Sequence, residues 1–131
     1  MIGIDTNVLV RFVVADDPAQ LSAARTFLTS LREDAPGYVC REVVAELVWV
    51  LERTYRYSRF DVARVLFSLL RSGQIIVEEA ERVGLACTRY VAGGPGFADQ
   101  MILLSGAAAG CEATVTFDRR ASEGPGGRHL H

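Results

Sequence analysis

Three short apolar runs constrain this chain more than any other feature. Ile2 to Asp5, Ile75-Ile76-Val77 and Ala113 to Phe117 each read as a strand, and long stretches of helical periodicity lie between them. Strands separated by helices need crossover connections, and crossover connections make neighbouring strands parallel. The pattern therefore predicts an α/β fold built on a parallel sheet. With 131 residues, half of them hydrophobic, the chain has room for one substantial core, so a single domain over 1–131 is expected.

Local signals divide the helical stretches. A helix is expected to start after Asp5, although Val8 to Val14 fits helix or strand by pattern alone. Asp17-Pro18 supplies an N-cap followed by a proline at the first helical position, and Leu21, Ala24, Phe27, Leu28 and Leu31 follow at helical spacing. After the break at Ala35-Pro36-Gly37, a helix from Val39 to about Tyr55 carries Val43, Leu47, Val50 and Leu51 on one stripe. Ser58 with Asp61 resembles a capping box for a helix through Leu70, and Gly73 supplies its stop. Further helices are expected from Glu78 to about Val91 and from Phe97 to Ala109, the last capped by Gly110. The chain then closes in a Gly- and Pro-rich tail.

Charge and cysteine usage exclude several classes. The net charge is -2, so the chain as a whole is no general polyanion binder. All 14 basic residues are Arg, which suits both phosphate and carboxylate but equally reflects GC-rich coding. The densest basic and aromatic patch is Arg53, Arg56 and Arg59 around Tyr55 and Tyr57, readable as an RNA contact or as an ordinary solvated face. Cys40, Cys87 and Cys111 form no CxxC pair and read as small core side chains. No apolar run reaches the roughly 18 to 20 residues of a membrane span, and Met1 leads straight into a strand with no basic leader, so a soluble, cytoplasmic protein is expected.

Four carboxylates stand where the surrounding sequence is apolar. Asp5 and Asp118 end strand-like runs, Glu46 interrupts Val43-Val44-Ala45 and Leu47-Val48-Trp49, and Asp99 falls between Phe97-Ala98 and Met101-Ile102-Leu103-Leu104. A buried ionised carboxylate needs a counter-charge, a shifted pKa or a metal. In parallel α/β sheets, ligands gather outside the carboxyl ends of the strands. Asp5 and Asp118 are therefore expected side by side on adjacent strands, with Glu46 and Asp99 arriving from the first turns of their helices. Oxygen-only donors favour a hard cation, Mg²⁺ or Mn²⁺, and one or two ions fit equally. Such an ion polarises a phosphoryl oxygen and activates water, which points to phosphodiester hydrolysis. His129 and His131 are poorly placed for general base work, and neither a GxSxG motif nor a P-loop is present.

Each acid also has a plainer reading. Asp5 and Asp118 suit strand-end turns, Asp99 suits an N-cap, and Glu46 suits an Arg partner, with Glu42 one turn earlier as an alternative to it.

Taken in order, Ile4-Asp5-Thr6-Asn7-Val8-Leu9, Glu46-Leu47-Val48-Trp49-Val50-Leu51, Phe97-Ala98-Asp99 and Thr116-Phe117-Asp118-Arg119 make the chain similar to the PIN domain family, and within it to VapC-type toxins of bacterial toxin-antitoxin pairs. The resemblance spans most of the chain. It implies a three-layer sandwich of a central parallel sheet flanked by helices, Mg²⁺- or Mn²⁺-dependent cleavage of RNA, homodimers, and neutralisation by an antitoxin protein. It also implies that Asp5, Glu46, Asp99 and Asp118 are the catalytic and metal-binding residues, with Thr6 or Asn7 and Thr116 hydrogen-bonding to them. The short tail after Asp118 departs from the family pattern.

Three other readings compete: a housekeeping RNA-processing nuclease of the same fold, a non-catalytic binding module, and a phosphatase using Asp5 as nucleophile. The last is disfavoured because Asn7 stands where that chemistry wants a second acid.

Overall fold

The computed structural model describes residues 1–131 as seven helices and five short strands, all paired in parallel. The fold is α/β, as the alternation of strand and helix signals predicts. The chain forms two compact units, Met1–Ala80 and Glu81–His131.

The first unit holds β1 (Ile2–Gly3), α1 (Thr6–Val14), α2 (Pro18–Ser30), β2 (Gly37–Val39), α3 (Arg41–Arg53), α4 (Arg59–Arg71) and β3 (Ile75–Val77). Its sheet runs β1-β2-β3, with Ile2 opposite Gly37 and Gly37 opposite Ile75. The ladder extends past the strand ends: Ile4 N–H donates to the Tyr38 carbonyl at 2.8 Å, and Glu78 N–H donates to the Val39 carbonyl at 2.9 Å. Ile4, Leu9, Val39, Val44, Leu47, Leu51, Val62 and Leu66 are buried. Gly37 is required where it stands, because a Cβ there would lie 2.5 Å from Ile4 Cδ1 and 3.0 Å from Leu31 Cδ1.

The expected helix from Val39 begins two residues later, at Arg41, and the residues before it form the central strand β2. Three residues are too few to show a period of two. β2 exists because neighbours on both sides satisfy its backbone groups. The helix signals fare better. Asp17 caps α2, accepting from Gln20 N–H at 3.0 Å with Pro18 at the first position, and Ser58 caps α4, accepting from Asp61 N–H at 3.1 Å.

The second unit holds α5 (Ala80–Val91, whose first residue closes the first unit), α6 (Phe97–Ala108), β4 (Thr114–Thr116), α7 (Arg119–Ser122) and β5 (Gly127–His129). Val83, Ala86, Cys87, Tyr90, Phe97 and Leu103 are buried, and the Tyr90 and Phe97 rings meet edge to face at 6.2 Å. Gly110, at φ +87, follows α6 in a left-handed conformation as its stop signal implies. The tail is more ordered than its Gly and Pro content suggests, forming α7 and then β5 alongside β4 with Thr114 opposite Gly127.

β1 bonds to β2, and β4 bonds to β5 in a separate sheet. One expectation needs correction here. The cysteines are not uniformly core residues: Cys87 is buried, Cys40 half-buried and Cys111 exposed, all three as free thiols. No helix is long and apolar enough to cross a membrane.

Candidate functional site

Asp5 is the residue at which β1 turns into α1. Its backbone is extended, with φ -80 and ψ 160, and its Oδ1 accepts the Thr6 N–H at 2.7 Å, so it serves as the N-cap of α1. The neighbouring Thr6 is buried, and its hydroxyl donates to Glu46 Oε1 on α3. One threonine thus joins two of the candidate acids, through its backbone to Asp5 and through its side chain to Glu46. Glu46 engages this hydroxyl rather than an Arg, which removes its plain ion-pair reading. Glu42, the alternative to it, lies exposed in the first turn of α3.

The position of Glu46 depends on how α3 is anchored. Cys40 precedes the helix and offers no side-chain cap. Glu78, just beyond β3, takes that part: its Oε1 accepts the Arg41 N–H at 2.9 Å, and its Oε2 lies 3.6 Å from Arg41 Nε. Val44, Leu47, Val48 and Leu51 then bury one face of α3, which leaves Glu46 in its second turn on the opposite side.

Asp99 and Asp118 belong to the second unit. Asp118 caps α7, its Oδ1 accepting from Ala121 N–H at 3.1 Å, while its own N–H donates to Thr116 Oγ1 at 3.0 Å. Thr116 thus bonds the backbone of Asp118 and not its carboxylate. Asp99 is not an N-cap. Gly96 holds that position, and Asp99 is the third residue of α6, where a negative charge favours the helix dipole.

The premise that these acids are buried does not hold. Asp5, Glu46 and Asp118 are exposed and Asp99 is half-buried. The apolar residues beside them in sequence point elsewhere, because a cap or a helix's outer face can border a hydrophobic run without entering the core. Next to Asp99, Gln100 is 1% exposed and its Oε1 has no hydrogen-bond partner.

A cleft of about 610 Å³ in the first unit is lined by Ile2 to Asp5, Asn7 and Val8, with Gln20, Ala24 and Phe27 of α2 across from them. A larger groove of about 970 Å³, lined by Leu9, Phe12, Leu28, Val65, Leu69 and Ile75 among others, contains none of the four acids. The groove's one carboxylate is Asp61, beside Arg64, whereas Asp5 lines the smaller cleft.

In neither unit do three or more His, Cys, Asp or Glu side chains converge into a cage for a metal ion. The donor chemistry at Asp5 and Glu46 nevertheless suits a hard divalent ion. Both are exposed carboxylates, each with one oxygen engaged by Thr6 and the other left over, and Mg²⁺ commonly binds through one or two carboxylates while keeping several waters. His129 Nε2 lies 3.1 Å from the Phe117 carbonyl and its Nδ1 lies 2.7 Å from His131 Nδ1, so both ring nitrogens are engaged away from any carboxylate. Sequence reasoning missed Glu78, since nothing local marks an acid that caps a helix 37 residues earlier.

Among known proteins, a family model described as PIN domain matches residues 2–126. No curated protein matches the chain.

Proposed function

The chain belongs to the PIN domain family, generally a metal-dependent nuclease fold, and on that premise we propose that it is an endoribonuclease acting as the toxin of a toxin-antitoxin pair. The observation that carries the nuclease reading is the Asp5–Thr6–Glu46 connection, in which the cap of α1 and the middle of α3 present two exposed carboxylates around one buried threonine. The family match over 2–126 extends across both units and supports treating 1–131 as one PIN-like domain.

In this reading Asp5 and Glu46 hold a Mg²⁺ or Mn²⁺ ion, and Asp99 and Asp118 contribute on the strength of the family motif. A divalent ion supplies Lewis-acid stabilisation of the charge that develops on a phosphodiester. The chain's own residues fix the carboxylates. Thr6 orients Glu46 through its hydroxyl, and the cap on α1 holds Asp5 at the end of β1. Glu46 is then placed to orient water for attack on phosphorus. The toxin role, the cognate antitoxin, a homodimeric state and a cytoplasmic location rest on resemblance to VapC-type proteins. A housekeeping RNA-processing nuclease of the same fold is the second reading, and the threonine-linked acids serve it equally.

The test is incubation of the purified protein with RNA, with and without Mn²⁺, followed by sequencing of the ends produced. Cuts that require the ion and vanish in Asp5→Asn support the proposal. Cleavage that persists in Asp5→Asn, or no cleavage under any condition, overturns it.

A further inference from the structure

The outer face of α3 carries more than Glu46. With about 100° between successive residues, Glu42, Glu46, Trp49 and Arg53 fall within one narrow sector opposite the buried Val44, Leu47 and Leu51. Trp49 is the chain's only tryptophan and is 58% exposed in the middle of that sector. Indole is the side chain with most to gain from burial, and here it is held outward on a rigid helix.

Charge along this face is ordered. Acids occupy its first half, Trp49 follows Glu46 by about 4.5 Å of helix rise, and Arg53 lies about 6 Å further on. Arg56 follows just past the helix end. Its φ of +59 lies in the left-handed region that a glycine enters without strain. The side chains of Arg53 and Arg56 form no ion pair or hydrogen bond within the chain. Tyr55, between them, is tied down instead: its hydroxyl donates to Asp16 Oδ2 at 3.2 Å. The segment is anchored while its two guanidinium groups stay available.

We propose that this face is a track for single-stranded RNA, with Trp49 stacking on a base beside the scissile phosphate and Arg53 and Arg56 contacting the phosphates that lead away from it. The proposal rests on the nuclease reading for the position of the scissile bond. An aromatic platform next to unpaired cations is the arrangement that binds single strands with little sequence preference. The acidic half of the face gives the strand a direction, since phosphates are repelled from Glu42 and drawn toward Arg53 and Arg56.

Trp49 reports on its own environment. A mixed-sequence 2′-O-methyl oligoribonucleotide, which resists cleavage, is titrated into the full chain in EDTA while tryptophan fluorescence is followed. Quenching is expected, with affinity reduced by roughly five- to 150-fold in Trp49→Ala measured by anisotropy of a labelled oligonucleotide. Trp49→Phe should retain part of the affinity. Replacing Arg53 and Arg56 by Gln should lower the slope of log affinity against log salt by about 0.7 for each phosphate no longer neutralised. Oligonucleotide binding that leaves the fluorescence and the Trp49→Ala affinity unchanged overturns the track, as does no binding at all. A blue shift that grows with protein concentration in the absence of RNA would mean that a second copy covers Trp49, and would also overturn it. Quenching by an oligonucleotide in a protein that cleaves nothing would leave the track standing and remove the nuclease reading.

Discussion

Thr6 donates its hydroxyl to Glu46 across 40 residues of sequence, and in the same position its backbone N–H is held by Asp5. The start of α1 and the middle of α3 are thereby coupled through one buried side chain. Thr6→Val keeps the shape and removes the donor. We expect a stability change of about 1 kcal/mol, because the carboxylate left behind is exposed and regains water. Cleavage should fall about tenfold or more as Glu46 loses its orientation, with Thr6→Ser restoring much of it. Melting curves beside cleavage rates separate the two effects, and equal rates in Thr6→Val and wild type would remove Thr6 from the mechanism.

Asp5 has two separable tasks. As N-cap it needs only an acceptor oxygen, which Asn also supplies, whereas holding a cation needs the negative charge. Asp5→Asn should therefore melt within about 0.5 kcal/mol of wild type and lose Mn²⁺ uptake by calorimetry. Asp5→Ala should lose both, with a stability cost of about 1 kcal/mol. Unchanged Mn²⁺ uptake in Asp5→Asn would place the ion elsewhere.

Arg56 tests whether a strained residue is kept for its side chain. Arg56→Gly relieves the left-handed conformation and should raise stability by about 1 kcal/mol, less the larger backbone entropy of glycine in the unfolded chain. The same variant should bind the uncleavable oligonucleotide more weakly. A variant that is stabler and binds as well as wild type would show that the guanidinium contributes nothing there.

The cysteines should separate by burial. Cys87 is fully buried, and removal from water pushes its thiol up to about 11, whereas Cys111 is exposed. At pH 8 a thiol reagent should modify Cys111 quickly and leave Cys87 intact until the protein unfolds, as read by mass spectrometry. The raised value holds the proton more tightly in the folded state. The corresponding stability is fully present below the ordinary thiol value of 9.0 and is lost as pH rises from there toward about 11. Urea melts that stay level below pH 9 and decline above it would agree.

Much of the fold could be read directly because its signals close over short distances. Asp17-Pro18 and Ser58-to-Asp61 announce α2 and α4 through bonds completed within three residues, and Gly110 marks the end of α6 by its own conformational freedom. β2 and β5 could not be read in this way. Gly37-Tyr38-Val39 becomes a strand only between β1 and β3, and Gly127-Arg128-His129 only beside β4. Such short strands have no periodicity of their own.

The candidate site divides along the same line. The residue types at Asp5, Glu46, Asp99 and Asp118, and the oxygen-only chemistry they imply, were determined by the sequence, because donor identity is a property of each side chain. Only the tertiary structure decided that Asp5 and Asp118 are helix caps, that the acids other than Asp99 are exposed, that Thr6 joins Asp5 to Glu46, and that Glu78 anchors the helix carrying Glu46. Exposure and long-range hydrogen bonds depend on which surfaces the fold covers and which distant atoms it brings within about 3 Å, and neighbours along the chain carry no record of either.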